Sequence, residues 1–221
     1  MVGKGAIVEF DFAAMKGARL LFDTTSRFLR ELDGIPFDVP LEARHFAGRS
    51  YQEGLESLFA AVRSKKTVQK AARDLAAAFT VALTSAVPTG LTSSFRNFVR
   101  TLTDRGVKVV LVTCADIGAV TPAFEPLLGE NVRLCGLAST CYGSLRWDAW
   151  RHVCSTMKFD RRQTIAVTGS GFGVKSALQA GMGAMAVVND HVAYQDFGGA
   201  DEVVDELSGA TARAALRMLR V

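Results

Sequence analysis

Near the amino terminus a short apolar run, Ala6, Ile7 and Val8, ends in two acids one residue apart, Glu9 and Asp11. The chain then loses strand character until residue 107, after which apolar strand-like runs and helical patterns alternate to the end. An isolated first strand cannot be stable alone, so it must join the later strands in one sheet. Alternating strands and helices make that sheet parallel, with right-handed crossovers and helices on both faces. The expected fold is therefore α/β, a doubly wound parallel sheet with an inserted all-helical cap domain. Side chains two apart on a strand project to the same side, which places Glu9 and Asp11 together. The carboxyl ends of parallel strands are where such sheets hold their ligands.

The insert is read from its periodicity. Leu20, Leu21, Phe28, Leu29 and Leu32 recur at helical spacing and stop at the turn signal Asp33-Gly34. Residues 34–50 contain Pro36, Pro40 and the phrase Phe46-Ala47-Gly48-Arg49-Ser50. Leu55, Leu58, Phe59 and Val62, then Val68, Ala71, Ala72, Leu75, Phe79 and Leu83, are helical again. These patterns assign residues 15–87 to a helical cap domain, and 1–14 with 88–221 to an α/β core domain, with Pro88, Thr89 and Gly90 marking the return. In the core the sequence predicts strands at 107–113, 132–137, 164–168, 184–189 and 202–204. Helices are expected at 92–105, 117–128, 147–157, 172–181 and 211–219.

Composition narrows the classes. At 221 residues with 49% hydrophobic and 22% charged residues, the chain can bury a full core, which excludes an intrinsically disordered protein. The net charge of +4 is spread, with Lys65-Lys66 and Arg161-Arg162 the only basic clusters. That charge permits an anionic partner, nucleic acid included, without specifying one. Cys114, Cys135, Cys141 and Cys154 contain no Cys-x-x-Cys, and His45, His152 and His191 are scattered. A zinc cluster is not expected, and the cysteines read as free thiols. No apolar run approaches a membrane span. The first strand starts within a few residues of Met1, which makes the cytoplasm the default expectation, an organelle being the alternative if a presequence was removed.

Several phrases together resemble the haloacid dehalogenase-like superfamily, in its helical-capped branch with β-phosphoglucomutase and phosphoglycolate phosphatase. They are the first strand through Glu9-Phe10-Asp11-Phe12-Ala13, the cap loop Ala47-Gly48-Arg49-Ser50, and the strand from Gly106 to Thr113. Further on are Gly173-Val174 through Ala180-Gly181-Met182, and the closing run from Phe197 to Asp205. The resemblance covers essentially the whole chain. It implies phosphoryl transfer from an Asp-x-Asp-Gly-Thr strand, with a hydroxyl and a lysine on the phosphoryl oxygens and acids after the fourth strand holding magnesium.

Carried onto this chain, the nucleophile position falls on Glu9, the acid/base on Asp11, and the glycine and threonine on Phe12 and Ala13. The hydroxyl falls on Thr113, the lysine near Ser144 with Arg146 the nearest cation, and the metal acids on Thr168 and Gly169. Only Asp11 and Thr113 match. Glu9 adds a methylene, which moves an attacking oxygen by roughly 1 Å and can cost about a hundredfold. Asp190 ends the next strand, about two strand spacings (~10 Å) from the first. Magnesium, which needs near-octahedral oxygen ligands, is poorly served by such a set. Phe12 reads as a ring filling the site. Asp11 either caps the following helix or bonds loop amides, or it keeps a ligand role; Thr113 is either a phosphate clamp or a turn residue, and Arg146 either stacks on Trp147 or stands exposed beside it.

One other motif stands out. Thr168-Gly169-Ser170-Gly171-Phe172-Gly173 follows a strand and opens a helix, with Asp190 about twenty residues on, as in a dinucleotide fingerprint. Its third glycine is replaced by Val174. Gly169, Ser170 and Gly171 are the candidate anion-binding residues, through backbone amides at a helix start. The leading expectation is a catalytically degenerate member of this superfamily, without cofactor, serving as a binding or structural subunit of a protein assembly. The alternatives are a weak magnesium-dependent phosphohydrolase using Glu9 and Asp11, and a nucleotide-binding module at the glycine turn.

Overall fold

A computed structural model describes residues 3–137 and 142–221; Cys141 lies outside the described residues. Six parallel strands form one sheet: β1 (Gly3–Glu9), β2 (Lys108–Thr113), β3 (Val132–Gly136), β4 (Phe159–Thr168), β5 (Gly183–Val187) and β6 (Glu202–Val204). Their order across the sheet is β3-β2-β1-β4-β5-β6, so the first strand is central. Between β1 and β2 the described chain adds helices and connecting turns but no strand to this sheet. A π-turn (Phe10–Ala14) leads to α1 (Ala18–Asp33), α2 (Val39–His45), α3 (Tyr51–Val62), α4 (Val68–Gly90) and α5 (Ser93–Thr103). The remaining helices are α6 (Ile117–Phe124), α7 (Trp147–Thr156), α8 (Gly171–Gln179) and α9 (Gly209–Met218). The fold is α/β, a parallel doubly wound sheet carrying a helical cap, as the alternation of patterns predicts.

The two faces of the sheet are divided by the period of two. Ile7, Val110, Val112 and Ala166 pack with Trp150, Val153 and Val174 on the α7/α8 side. Ala6, Val8, Val109, Leu111, Ile165 and Val167 join the larger core, which continues into the cap through Leu55, Leu75 and Phe79. The helix starts are capped by side chains: Ser50 makes a capping box with Glu53, and Asp38, Thr92, Asp116, Ser170 and Ser208 each accept an amide from the first turn. Gly34 ends α1 in the left-handed conformation (φ 63°).

Two expectations needed correction. Pro88, Thr89 and Gly90 do not break the chain but complete α4. A proline in the last turn forfeits one intrahelical bond without displacing the residues beyond it. Gly90 instead serves packing, since a Cβ there would lie 2.2 Å from Met15 Cγ and 2.9 Å from Phe10 Cζ. β4 starts five residues early, at Phe159, because its register against β1 slips: Gly3 pairs with Phe159 but Gly5 with Thr164. The polar residues 160–163 bulge outward, held by Thr164 Oγ1 donating to the Asp160 carbonyl (2.6 Å) and by Asp160 accepting from Arg162 N (3.0 Å) and Gln163 Nε2 (3.1 Å).

Candidate active site

The expectation that Glu9 and Asp11 project from one side assumed a strand running through both. The strand ends at Glu9, and Asp11 lies in the π-turn, where Met15 N bonds the Phe10 carbonyl at 3.0 Å. The two carboxyl groups therefore diverge. Glu9 turns toward β4 and the loop before α7: its Oε1 accepts from the Leu145 amide (2.7 Å) and its Oε2 from the Thr168 hydroxyl (2.5 Å). Asp11 turns toward β2: its Oδ1 accepts from the Thr113 hydroxyl (2.6 Å) and its Oδ2 from the Cys114 amide (2.7 Å). Thr113 Oγ1 in turn accepts from Ala115 N at 3.0 Å. Asp11 thus bonds a loop amide rather than capping a helix, since Gly17 starts α1.

Every carboxyl oxygen of the pair has a protein donor, and Glu9 and Asp11 are only 2% and 1% exposed. Burial pushes Glu9 up to about 7 despite the opposing bonds from Thr168 and Leu145, with the Asp11 charge adding to the rise. Burial likewise lifts Asp11 to about 6, against its bonds from Thr113 and Cys114. Among the described residues neither acid is in an ion pair. The partners suit the neutral form as well: a hydroxyl donates or accepts, so a protonated Glu9 can donate to Thr168 while its other oxygen keeps the Leu145 amide.

The residues do not fit a magnesium ion. Thr168, where the resemblance would place a metal acid, brings no carboxylate, and its hydroxyl hydrogen is committed to Glu9, so it adds no negative charge for an ion that favours carboxylate oxygens. Gly169, the other position, has no room for a side chain: a Cβ would lie 2.1 Å from the Phe12 carbonyl oxygen. Asp190 is exposed, in an open cleft with Lys16, Arg19 and Tyr194. Phe12 is 3% exposed and stacks on Phe79 of α4, centroids 6.1 Å apart. Its ring is locked between strand end and cap.

The glycine turn is also internally engaged. The Gly169 amide bonds Glu9, the Gly171 amide donates to Gln195 Oε1 (2.8 Å), and the Gly173 amide donates to Ser170 Oγ (3.0 Å). Ser170 is buried as the cap of α8, and Val174 packs in the core. Arg146 is half-exposed, 3.8 Å from Asp148, and the cation over Trp147 is Arg151, at 5.4 Å.

What linear reading missed is how the cap is fastened to the core. Glu42, on α2 and 4% exposed, accepts from Tyr142 Oη at 3.0 Å, and His191 Nε2 lies 3.0 Å from its other oxygen. The Tyr142 amide also donates to the Arg49 carbonyl at 2.9 Å. Burial raises Glu42, with the His191 ring opposing that rise, and burial beside Glu42 holds the Tyr142 phenol well above its usual range. The space left where Leu21, Glu42 and Gly48 face Tyr142, Ser170 and His191 is about 20 Å³, room for about one water. Gly48 is part of this closure: Phe172 approaches so closely that a Cβ would lie 2.4 Å from its ring. No sequence spacing announces the cluster, because Glu42 is 100 residues from Tyr142 and 149 from His191.

Against solved structures the likeness spans the whole chain. β-Phosphoglucomutase from Clostridium difficile superposes with a TM-score of 0.72 at 13% identity, covering 100% of this chain and 98% of that one. A phosphonoacetaldehyde hydrolase-like protein from Oleispira antarctica gives 0.71 at 15% identity, covering 100% and 95%. A HAD hydrolase of family IA, variant 3, from Entamoeba histolytica gives 0.71 at 13%, covering 99% and 100%. This is the haloacid dehalogenase-like fold. At such identities the likeness extends to architecture, which function need not follow. No protein-family model matches the sequence, and neither does any curated protein.

Proposed function

We propose that this chain is a non-catalytic member of the haloacid dehalogenase-like superfamily that works by binding, as a subunit of a protein assembly. The observation that carries the reading is that all four oxygens of Glu9 and Asp11 are engaged by donors of the protein itself. A nucleophile needs a free, ionised oxygen aimed at phosphorus. Here that position holds a buried carboxyl driven toward its neutral form. The shut cap supports the same reading, since substrate entry would break the Glu42 cluster and leave buried polar groups unpaired.

Release of phosphate from p-nitrophenyl phosphate by the purified chain, with 5–10 mM magnesium, tests the catalytic half. No turnover above a Glu9→Gln/Asp11→Asn control is expected, and turnover abolished by that double change would overturn the proposal. The assembly half predicts that the chain elutes in native extract well above its own 23.7 kDa. Elution there as a monomer counts against it.

A further inference from the structure

A second cavity lies at the opposite end of the sheet, at the amino ends of β2 and β4. Its volume is about 190 Å³, and its wall combines Val109, Val110, Met157 and Phe159 with Lys108, Arg133, Lys158 and Glu130. That is far more than the ~10–15 Å³ one water needs and less than the ~300 Å³ at which drug-sized sites begin. The space has a local cause. β1 enters the sheet through Gly3 and Gly5, and the Phe159 ring lies against Gly5, where a Cβ would be 2.4 Å away. The register slip beside it carries residues 160–163 outward.

The charges at the rim are unsatisfied within the protein. Among the described residues Lys108, Arg133 and Lys158 make no ion pair and no side-chain hydrogen bond, and neither does Glu130. Three cations against one acid leave a surplus of two positive charges around an apolar floor. The carboxyl end of α7 opposes an anion with only about half a charge. Two of its last carbonyls are already closed, by Met157 N bonding Val153 and Lys158 N bonding Ser155.

We propose that this cavity binds a small organic anion, with its apolar body against Val110, Met157 and Phe159 and its carboxylate or phosphate head among Lys108, Arg133 and Lys158. The site is independent of Glu9 and Asp11, which lie at the carboxyl end of the same sheet. Arginine presents a fork to such a head group and lysine a point charge, which suits either chemistry.

Benzoate, with benzamide as its uncharged isostere, tests the proposal in amide-resolved NMR titrations of the full chain. Benzoate should shift amides of residues 108–110, 130–133 and 156–159 with a Kd of about 1 mM or tighter, and benzamide should bind several-fold more weakly. Arg133→Glu and, separately, Lys108→Glu alter exposed side chains that support no other group, and each should weaken benzoate about tenfold. Absence of shifts at 10 mM benzoate overturns the proposal. So does equal affinity for benzamide, or benzoate binding that both charge reversals leave unchanged.

Discussion

The Thr168 hydroxyl donates to Glu9 Oε2 at 2.5 Å, across the β1–β4 pair at the carboxyl end of the sheet. Thr168, where the resemblance to the superfamily would place a metal acid, thus supplies a hydrogen bond to the Glu9 carboxyl group. The residues at 168 and 9 are complementary: the Glu9 carboxyl group meets both the Thr168 hydroxyl and the Leu145 amide. The result is a closed polar cluster.

That closure predicts no response to magnesium. The thermal midpoint of the wild-type chain should be unchanged by 10 mM magnesium relative to potassium at equal ionic strength. In Thr168→Asp a third carboxyl group joins Glu9 and Asp11, so the variant should be destabilised at neutral pH and regain several degrees with magnesium. A wild-type midpoint that climbs with the ion contradicts the reading. Gly169→Asp offers no such rescue, because its side chain would meet the Phe12 carbonyl, and it should cost about 1–3 kcal/mol or more with or without the ion.

Stability should fall as pH rises. Glu9 and Asp11 are shifted up, to about 7 and about 6, so the folded protein holds protons that the unfolded chain has released. Their stabilising contribution is full below the unfolded values near 4.5 and 3.8 and is lost as pH climbs through 6 to 7. The loss for the two groups together is on the order of 5 kcal/mol between pH 4.5 and 8. Urea midpoints across that range should decline in the wild type and run flatter in Glu9→Gln/Asp11→Asn. Amide groups reproduce the neutral bonding, so that variant should be the more stable protein at pH 8. A midpoint that rises with pH contradicts the assignment.

The strand–helix plan was legible because each β-strand is an apolar run that only a doubly covered sheet accommodates: the 109–112 stretch of β2 is buried on both faces. The boundaries that failed did so where tertiary contact overrides a local signal. Pro88 and Gly90 look like a break, yet Gly90 is the close approach of α4 to Met15 and Phe10. At the candidate site the sequence named the residues, Glu9, Asp11, Thr113 and Thr168, but not how they pair. Thr168 registers in the sequence as an absent acid, and only its pairing with Glu9 makes it a donor. The Glu42 cluster is invisible for the same reason, since its members share no element and no spacing.

Phe12, where the resemblance would place a phosphate-admitting glycine, lies buried against Phe79. Phe12→Ala should cost about 3–5 kcal/mol in equilibrium denaturation, as removal of a buried aromatic does. It should gain no phosphate release, because the carboxyl oxygens remain engaged. A variant of wild-type stability that hydrolyses p-nitrophenyl phosphate would mark the ring as an obstruction in a working site.

The cap should open where Glu42 is lost. Glu42→Ala leaves the Tyr142 hydroxyl and the His191 ring buried without their shared acceptor, a change that costs about 1–3 kcal/mol for each group left unsatisfied. The damage has a definite place. Exchange of the Tyr142 amide, now protected by the Arg49 carbonyl, and of the amides of α2 should accelerate, while those of β1, β2 and β4 keep their protection. Glu42→Gln keeps an oxygen for Tyr142 and an amide nitrogen for His191, whose ring can turn its tautomer to accept, so most of the loss should be recovered. Uniform acceleration throughout the sheet in Glu42→Ala would mean that the cluster supports the whole fold rather than fastening cap to core. Unchanged exchange at Tyr142 would mean that it fastens nothing.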